Sequence, residues 1–232
     1  MACNTVTGAN KAKFDLLAAE YDAKFAQSTR QLEEAVRANI DFIGARNGGR
    51  LLDYACGTGF LSRSMMPSIS ECVGIDLSDN MVNVYNTKAQ NEGLYPDGMR
   101  AYLGNLALPG DPRPAAFSGP GWFDFDMAGV SVGFHHFEDC ELAARRLVDR
   151  LRPGGVLFIL DFVTGSLADM PDAAAHGVVR HGFSEGDMKG IFEAAGAGSD
   201  FGFKVLGKEV TFHKPNGKNR TRRVFLARGS KA

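Results

Sequence analysis

LLDYACGTGFLS, at residues 51–62, is a short apolar run that breaks into a glycine turn and then into a helix. The same order recurs in ECVGIDLS at 71–78, an apolar run that closes on an acidic residue before a helix predicted over 78–90. Strands that alternate with helices pair in parallel, because each helix carries the chain back across the sheet. The two segments therefore predict a mainly parallel sheet with helices on both faces.

Five further segments extend this pattern along the chain. They are MRAYLGN at 99–105, FDFDMAGVSVGF at 123–134, VLFILDF at 156–162, DFGFKVLGKEVTF at 200–212 and RTRRVFLARG at 220–229. No helical pattern separates the last two, and we expect a turn between them at Pro215-Asn216-Gly217. The sequence thus predicts an α/β fold with a seven-stranded sheet whose last strand is antiparallel.

The first 47 residues carry a different pattern, in which apolar residues recur at helical spacing. The two runs are Phe14, Ala18, Tyr21 and Phe25, and Leu32, Val36, Ile40 and Ile43. Ser28 and Gln31 have the spacing of a capping box, which predicts that one helix ends and another begins there. Because Gly48-Gly49 closes this portion, we divide the chain into an N-terminal helical segment, 1–47, and a main domain, 48–232.

Composition and charge exclude several classes of protein. The chain of 232 residues has 26 Lys and Arg against 27 Asp and Glu, a net charge of −1, with 44% hydrophobic residues. Neither a wholly basic nucleic-acid binder nor a disordered acidic chain has this balance. No apolar run approaches the ~20 residues of a membrane span, and residues 1–14 lack the apolar core of a signal peptide. We therefore expect no membrane partner.

The cysteines indicate a reducing compartment. The four, Cys3, Cys56, Cys72 and Cys140, have no paired spacing. This argues against a disulfide scaffold and a CxxC metal site, and no Cys/His/Asp/Glu cluster has metal-ligand spacing. We expect a cytoplasmic protein whose site holds no metal.

Basic residues gather at the end of the chain. Residues 201–232 hold nine basic residues and one acidic residue, a net charge of +8. Such a segment could bind nucleic acid or another anion. We favour the alternative, the solvated side of a C-terminal strand pair, because Lys and Arg are ordinary surface residues. Nucleic acid is therefore not an expected partner.

Polar residues and glycines stand where the first three predicted strands end, at the edge where open α/β sheets bind ligands. They are Asp53, Gly57-Thr58-Gly59, Asp76 and Asn105. Glycines there let the backbone approach a ligand and leave amide N–H groups unpaired to bind an anion. A carboxylate such as Asp76 can accept two hydrogen bonds from a ribose diol, and Asn105 can meet a base edge. Each feature is common alone, but the ordered series predicts an adenosine-like ligand.

A nicotinamide dinucleotide is one such ligand. Dinucleotide folds carry a third glycine two residues after the GxG turn, where it lets helix and strand pack closely. Phe60-Leu61-Ser62 contains no glycine. A nicotinamide enzyme is thus the weaker hypothesis.

Four blocks of sequence carry a resemblance to a known family: LLDYACGTGFLS, VGIDLSDNMV, FDMAGVSVGFHHFED and LRPGGVLFILDF. In order and spacing they resemble the signature blocks of class I S-adenosylmethionine (SAM)-dependent methyltransferases, in the small-molecule branch that includes the ubiquinone/menaquinone-biosynthesis type. The resemblance covers about residues 14–196, and FDLLAAEYD at 14–22 resembles that branch's N-terminal lid. It implies a Rossmann-like fold, SAM as cofactor and a helical lid over 1–47.

The resemblance also implies cofactor contacts for individual residues. At the methionine moiety it places Asp53, Ala55, Gly57 and Gly59, with Tyr21 near the same end. It places Asp76 on the ribose hydroxyls. At the base it places Leu77 and Met81 beside the adenine ring, and Asn105 and Leu106 at the adenine amino group. Ala55 stands where the family most often has glycine, a change the backbone tolerates if φ there is negative. Asn105 stands where Asp is usual, and we expect its carbonyl to accept from the amino group.

Acceptor contacts are expected beyond the fourth and fifth strands. His135 and His136 follow the fourth strand and are the candidate catalytic bases. Adjacent side chains diverge, so we do not expect both in one pocket; a histidine satisfied by neighbouring backbone is the alternative. Phe134, Phe162 and His181 are predicted to contact the acceptor.

The predicted function is methyl transfer by in-line displacement to a small organic acceptor. We expect the methylated atom to be oxygen or nitrogen, and carbon is the less favoured choice. Residues 165–183 predict a flexible cover over an apolar pocket that suits an aromatic or polyketide-like metabolite, and His176 is a secondary base candidate. The alternatives are methylation of a protein or RNA, and a non-catalytic SAM-binding subunit on a partner. Monomer and homodimer both stay open.

Overall fold

A computed structural model describes residues 5–165, 178–212 and 219–232. The turn predicted at 215–217, His176 and most of the predicted cover at 165–183 lie outside these ranges. Among the residues described, no helix combines the length and apolar character needed to cross a bilayer.

Strands and helices alternate through the described part of the chain. The strands are β1 (Arg50–Tyr54), β2 (Glu71–Asp76), β3 (Met99–Leu103), β4 (Phe125–Ser131), β5 (Leu151–Phe162), β6 (Ser199–Val205), β7 (Val210–Phe212), β8 (Arg220–Arg222) and β9 (Val224–Ser230). The helices are α1 (Val6–Lys24), α2 (Ala26–Arg37), α3 (Ile40–Ile43), α4 (Phe60–Met65), α5 (Asp79–Asn91), α6 (Cys140–Val148) and α7 (Glu185–Ala195).

Seven strands form one sheet in the order β3-β2-β1-β4-β5-β9-β6. The pairs among β1 to β5 are all parallel, whereas β9 runs antiparallel to both β5 and β6. A parallel neighbour of β5 would need another crossover helix, and the chain enters β9 directly from β8. The predicted α/β sheet with an antiparallel last strand is confirmed.

The sheet is buried on both faces because its side chains alternate in direction along each strand. Leu51 packs with Met127 and Phe158 on the face covered by α2, α4 and α5. Leu52, the next residue, packs on the opposite face, which α6 and α7 cover. Burial on both faces explains why the central strands read as continuous apolar runs rather than as alternating ones.

The segment predicted as one strand over 200–212 is two strands. It breaks after β6 at Leu206-Gly207-Lys208-Glu209, and β7 then pairs with β8 in a separate two-stranded ribbon. Gln31 of α2 accepts a hydrogen bond from the Thr211 amide at 2.9 Å. This contact fixes the ribbon against the N-terminal helices.

The N-terminal segment contains three helices, and its first break falls at Phe25. The predicted capping box is wrong, because the Ser28 hydroxyl donates to the Phe25 carbonyl and Gln31 turns toward β7. Leu32 and Val36 of α2 are buried against the sheet. Of this segment, α1 is therefore the part that lies over the carboxyl ends of the strands.

Candidate active site

A cavity of about 640 Å³ opens at the carboxyl ends of β1, β2 and β4, beneath α1. Its volume lies in the range of roughly 300–1,000 Å³ typical of small-molecule sites. The turns after the strands form its floor, and residues from Thr5 to Tyr21 form its roof. The parallel topology brings these strand ends together, as the sequence predicted.

The glycine turn after β1 has a steric role. Gly57 has φ +51°, and a Cβ there would point into open space, whereas a Cβ on Gly59 would lie 2.6 Å from the Tyr85 ring. The amide groups of Cys56, Gly57 and Gly59 all donate hydrogen bonds within the protein, to the Ile75 carbonyl, the Asp76 carboxylate and the Cys56 carbonyl. The expectation of unpaired amides for an anion is therefore wrong for these three groups.

Ala55 adopts a left-handed backbone conformation. Its φ is +56°, so the condition of a negative φ is not met. A side chain in this region costs about 1–2 kcal/mol relative to glycine. Gly133 makes room for the Ala55 methyl group, since a Cβ on Gly133 would lie 3.2 Å from it.

Asp76 ends β2 on the cavity wall. Its two oxygens accept hydrogen bonds from the Gly57 amide at 2.8 Å and the Ser78 amide at 2.9 Å. Burial raises the pKa of this carboxyl, and the backbone donors partly offset that effect. Leu77 and Met81 line the same cavity. The geometry therefore presents a held carboxylate beside two apolar side chains.

Asp53 also lines the cavity and is almost fully buried. The Ser62 hydroxyl donates to its carboxylate at 2.7 Å, and the Tyr85 hydroxyl donates to Ser62 at 2.8 Å. Loss of hydration raises the pKa of Asp53 to about 7. Its protonation state therefore changes near neutral pH.

Asn105 lies on the wall, two residues after β3. Its side-chain carbonyl accepts from the Tyr54 hydroxyl and from the Ala107 amide, both at 2.8 Å. The Leu106 amide donates to the same Tyr54 hydroxyl at 3.2 Å, and the Leu106 side chain is buried away from the cavity. The oxygen expected to accept from an adenine amino group thus already has two donors.

The two adjacent histidines have different surroundings. His136 lines the cavity, with the Phe14 ring edge-on at 5.4 Å. His135 is buried, and its Nδ1 lies 2.8 Å from Asp161 Oδ1. Its carbonyl accepts from the backbone amides of residues 179 and 180. The two rings lie 4.2 Å apart between centroids, so the expected divergence of the side chains is wrong, although only His136 lines the cavity.

The residues predicted to contact the acceptor lie elsewhere. Phe134 is fully buried between Phe137 and Phe183. Phe162 packs on the His135 ring at 5.1 Å, and the His181 carbonyl accepts from Arg222. None of the three is among the described residues that line the cavity. Tyr21 does line the cavity, together with Ala55, Gly57 and the other wall residues already described.

Several wall residues escaped the sequence-based prediction. They are Thr7, Asn10, Phe14, Tyr54, Ser131, Phe137 and Glu138. Ser131 is buried at the end of β4, and its hydroxyl has no hydrogen-bond partner within the described residues. The strand-end rule that selected Asp76 and Asn105 would have found Ser131 as well.

The cavity wall is acidic. Asp53, Asp76, Glu138 and Asp139 line it, and the described wall residues include neither Lys nor Arg. In the part of the chain that the structure covers, no group of three His, Cys, Asp or Glu side chains is placed to hold a metal ion. This electrostatic environment favours a cationic ligand.

Residues 28–198 match the family described as Methyltransferase domain. The chain belongs to the family of class I SAM-dependent methyltransferases. An uncharacterized methyltransferase of Schizosaccharomyces pombe is 31% identical to this methyltransferase over 176 residues, 73% of this chain and 60% of that protein. A ubiquinone/menaquinone biosynthesis C-methyltransferase of Shewanella sp. strain W3-18-1 is 30% identical over 129 residues, 54% of this chain and 47% of that protein.

The fold of the methyltransferase is similar to that of solved structures. Magnesium protoporphyrin IX methyltransferase of Synechocystis PCC 6803, with bound S-adenosylhomocysteine (SAH), superposes with a TM-score of 0.67 at 16% identity and covers 98% of this chain and 100% of that one. The fold is thus Rossmann-like, and SAM is the family's cofactor. The methyltransferase spans about half to three fifths of the length of the two sequence relatives.

Proposed function

We propose that this methyltransferase transfers the methyl group of SAM to a small organic acceptor held in the cavity beside His136. The observation that carries the proposal is the enclosed cavity itself, roofed by α1 and bearing an imidazole on its wall. An enclosed apolar cavity with a few polar groups is typical of sites for small ligands.

Three features of the wall fit the cofactor. Asp76 offers a carboxylate to the ribose diol, and Gly57 leaves open the space that a side chain would fill. Asp76 and Glu138 contribute negative charge to the wall, which favours a positively charged sulfonium ion. When bound, SAM supplies an electrophilic methyl group on its positively charged sulfur.

The attachment of α1 favours a small acceptor over a macromolecule. Thr7 donates to Glu138 through its amide at 2.8 Å and its hydroxyl at 3.0 Å. Further along the helix, Asp15 accepts from the Ser78 hydroxyl at 2.6 Å, and Asp22 accepts from Thr58 at 2.6 Å. A protein side chain or an RNA base would reach the cavity only after these contacts break.

The acceptor side of the cavity is aromatic. Phe14, Phe137 and His136 contribute rings to its wall, and Val132 adds an aliphatic surface. Such a wall suits a planar aromatic acceptor. Two similar proteins carry names with ring-containing substrates, the ubiquinone/menaquinone biosynthesis C-methyltransferase and magnesium protoporphyrin IX methyltransferase.

His136 is the group placed to act on the acceptor. An imidazole at this position can accept the proton of a hydroxyl or an ammonium group and orient the resulting nucleophile. The Phe14 ring holds the imidazole from one side, and His135 lies 4.2 Å away between ring centroids. Alignment of the nucleophile and exclusion of water by α1 supply the part of the rate enhancement that proton transfer to His136 does not provide.

The alternative, a protein or RNA acceptor, depends on the basic C-terminal strands. Within the described residues, several of these cations have intramolecular partners. Lys204 donates to Asn39 at 2.7 Å, Lys231 to the Leu151 carbonyl at 2.7 Å, and Arg222 lies 4.5 Å from the Phe162 ring centroid. These contacts favour a structural role for that surface.

A transfer assay tests the proposal. The purified protein is incubated with methyl-labelled SAM and a panel of phenols, hydroxyquinones, aromatic amines, total RNA and unfolded protein. We expect label in at least one aromatic small molecule and none after Asp76→Ala. Label in RNA or protein alone would support the alternative acceptor, and SAM binding without transfer to any of them would support a non-catalytic subunit.

A further inference from the structure

Tyr54 connects the end of β1 to the turn after β3. Its hydroxyl donates to the Asn105 side-chain oxygen at 2.8 Å and accepts from the Leu106 amide at 3.2 Å. The Tyr54 ring is buried, with the Phe137 ring edge-on at 5.5 Å. The hydroxyl is therefore held in place by packing on one side and by two hydrogen bonds on the other.

The Ala107 amide determines which way the Asn105 side chain faces. A backbone N–H can only donate, so the Asn105 atom 2.8 Å from it must be the carbonyl oxygen. That oxygen has two lone pairs, and Tyr54 and Ala107 supply two donors. The NH₂ group is thus the part of Asn105 that is left to bind a ligand.

The surroundings of Asn105 offer a ligand no backbone donor from the next two residues. The Leu106 amide is bonded to Tyr54, and the Ala107 amide is bonded to Asn105 itself. Leu108 and Pro109, which follow on the cavity wall, present apolar side chains. In this part of the wall, the Asn105 NH₂ group is therefore the hydrogen-bond donor that a ligand can use.

We propose that Asn105 contacts the base of the cofactor as a hydrogen-bond donor, because the Ala107 amide fixes its polarity and Tyr54, as a positioning residue, occupies the second lone pair of its oxygen. The inference rests on the cofactor site of the proposed function. An amide donor needs an acceptor on the base, which adenine provides at a ring nitrogen and hypoxanthine provides at its exocyclic oxygen. A carboxylate at this position would instead accept from the adenine amino group and would repel that oxygen.

The proposal predicts weak discrimination between the two bases. We expect SAH and its hypoxanthine analogue, S-inosylhomocysteine, to bind the wild-type protein with dissociation constants within about fivefold of each other. Asn105→Asp should favour SAH over the analogue by about tenfold or more, because the carboxylate accepts from the adenine amino group and repels the exocyclic oxygen of hypoxanthine. Tyr54→Phe should give an intermediate ratio, because it frees one lone pair of the Asn105 oxygen to accept from the adenine amino group while the Ala107 amide keeps the other.

Isothermal titration of both ligands measures these ratios. Asn47→Asp, at an exposed position away from the cavity, is the control for the added charge, and melting temperatures check that each variant folds. If Asn105→Asp does not fold, Asn105→Ala replaces it. Loss of a donor should weaken both ligands by similar factors, whereas loss of an acceptor would weaken SAH alone.

A wild-type preference for SAH of more than about tenfold, unchanged in Asn105→Asp or removed in Asn105→Ala, would overturn the inference. That outcome would leave SAH binding, and so the proposed function, intact. If neither ligand binds the wild-type protein, the cofactor site fails and the inference fails with it.

Discussion

Asp161 holds His135 with both carboxylate oxygens. Oδ1 lies 2.8 Å from the His135 Nδ1, and Oδ2 accepts from the His135 amide at 3.0 Å. The two residues are buried together, whereas His136 is turned to the cavity wall. The adjacent histidines therefore divide into one that organises the loop after β4 and one that can meet an acceptor.

Removal of the two imidazoles should have different consequences. His136→Ala should lower turnover by about 10²–10⁴-fold with little change in melting temperature, because the ring lies on the cavity wall. His135→Ala should lower the free energy of unfolding by about 3 kcal/mol, since it leaves the buried Asp161 carboxylate without its side-chain partner. Steady-state kinetics and thermal unfolding measure the two effects.

A conservative variant separates packing from chemistry at His135. His135→Asn keeps a side-chain N–H near the position of Nδ1 and should recover much of the lost stability. The division of roles would be wrong if His135→Ala lost turnover without loss of stability while His136→Ala retained full turnover.

Asp53 should make stability depend on pH. Its pKa in the folded protein is about 7, above the ordinary value of 3.8. Its contribution to stability is therefore complete below pH 4, falls as pH rises toward 7, and is lost above that. At 1.36 kcal/mol per pH unit the full effect amounts to about 4 kcal/mol.

Asp53→Asn resembles the protonated acid and removes this dependence. We expect the variant to be more stable than the wild type at pH 8 and close to it at pH 4, as measured by urea unfolding at several pH values. Asp97→Asn, at an exposed position, is the matched control. Identical pH profiles for Asp53→Asn and the wild type would refute the assignment.

The Ser131 hydroxyl is predicted to contribute to ligand binding and not to the stability of the fold. Its buried hydroxyl has no partner within the described residues, so Ser131→Ala should leave the free energy of unfolding unchanged or raise it by about 1 kcal/mol. Ser131 lines the cavity, and we expect the loss of its hydroxyl to weaken the binding of SAH or acceptor by about tenfold.

Ser64→Ala is the comparison for Ser131→Ala. Ser64 is also buried, but its hydroxyl donates to the Phe60 carbonyl at 2.8 Å within α4. We expect that variant to lose about 1 kcal/mol of stability and no affinity. Unfolding experiments measure the stability of both variants, and titration measures their affinity. Unchanged affinity for both SAH and the acceptor in Ser131→Ala would exclude a binding role.

The contact between Thr7 and Glu138 should govern the opening of α1. Two donors meet one carboxylate oxygen, at 2.8 and 3.0 Å, and they hold the first turn of the helix over the cavity. Glu138→Ala should increase amide hydrogen exchange across the first half of α1 by about tenfold, the effect of about 1.4 kcal/mol. Glu141→Ala, on the exposed side of α6, should not. Equal exchange in all three proteins would show that other contacts hold the helix.

Local patterns in the sequence were sufficient to predict the sheet and one edge of the candidate site. Apolar runs such as 156–162 and turns such as Gly57-Thr58-Gly59 depend on neighbouring residues, so they can be recognised from the sequence. Once the strands are parallel, their carboxyl ends must meet, which brings Asp53, Asp76 and Asn105 to one cavity. The prediction failed locally at Ser28, where a capping pattern occurs by chance inside a helix.

Contacts between distant parts of the chain decided how individual side chains of the site are oriented. The Asn105 oxygen takes its second donor from Tyr54, 51 residues away, and the placement of His135 depends on Asp161, 26 residues away. Phe162 lies off the cavity because it packs on the His135 ring, and the His181 carbonyl accepts from Arg222.

The sequence by itself therefore determined the α/β architecture, the family and the edge of the sheet at which the cavity lies, since these follow from periodicity, motif spacing and strand order. Only the tertiary structure decided which histidine meets the cavity, which atom of Asn105 faces the ligand and that Ala55 adopts a positive φ. The physical reason is that side-chain direction and hydrogen-bond polarity are set by partners that packing supplies, and the spacing of residues along the chain does not encode them.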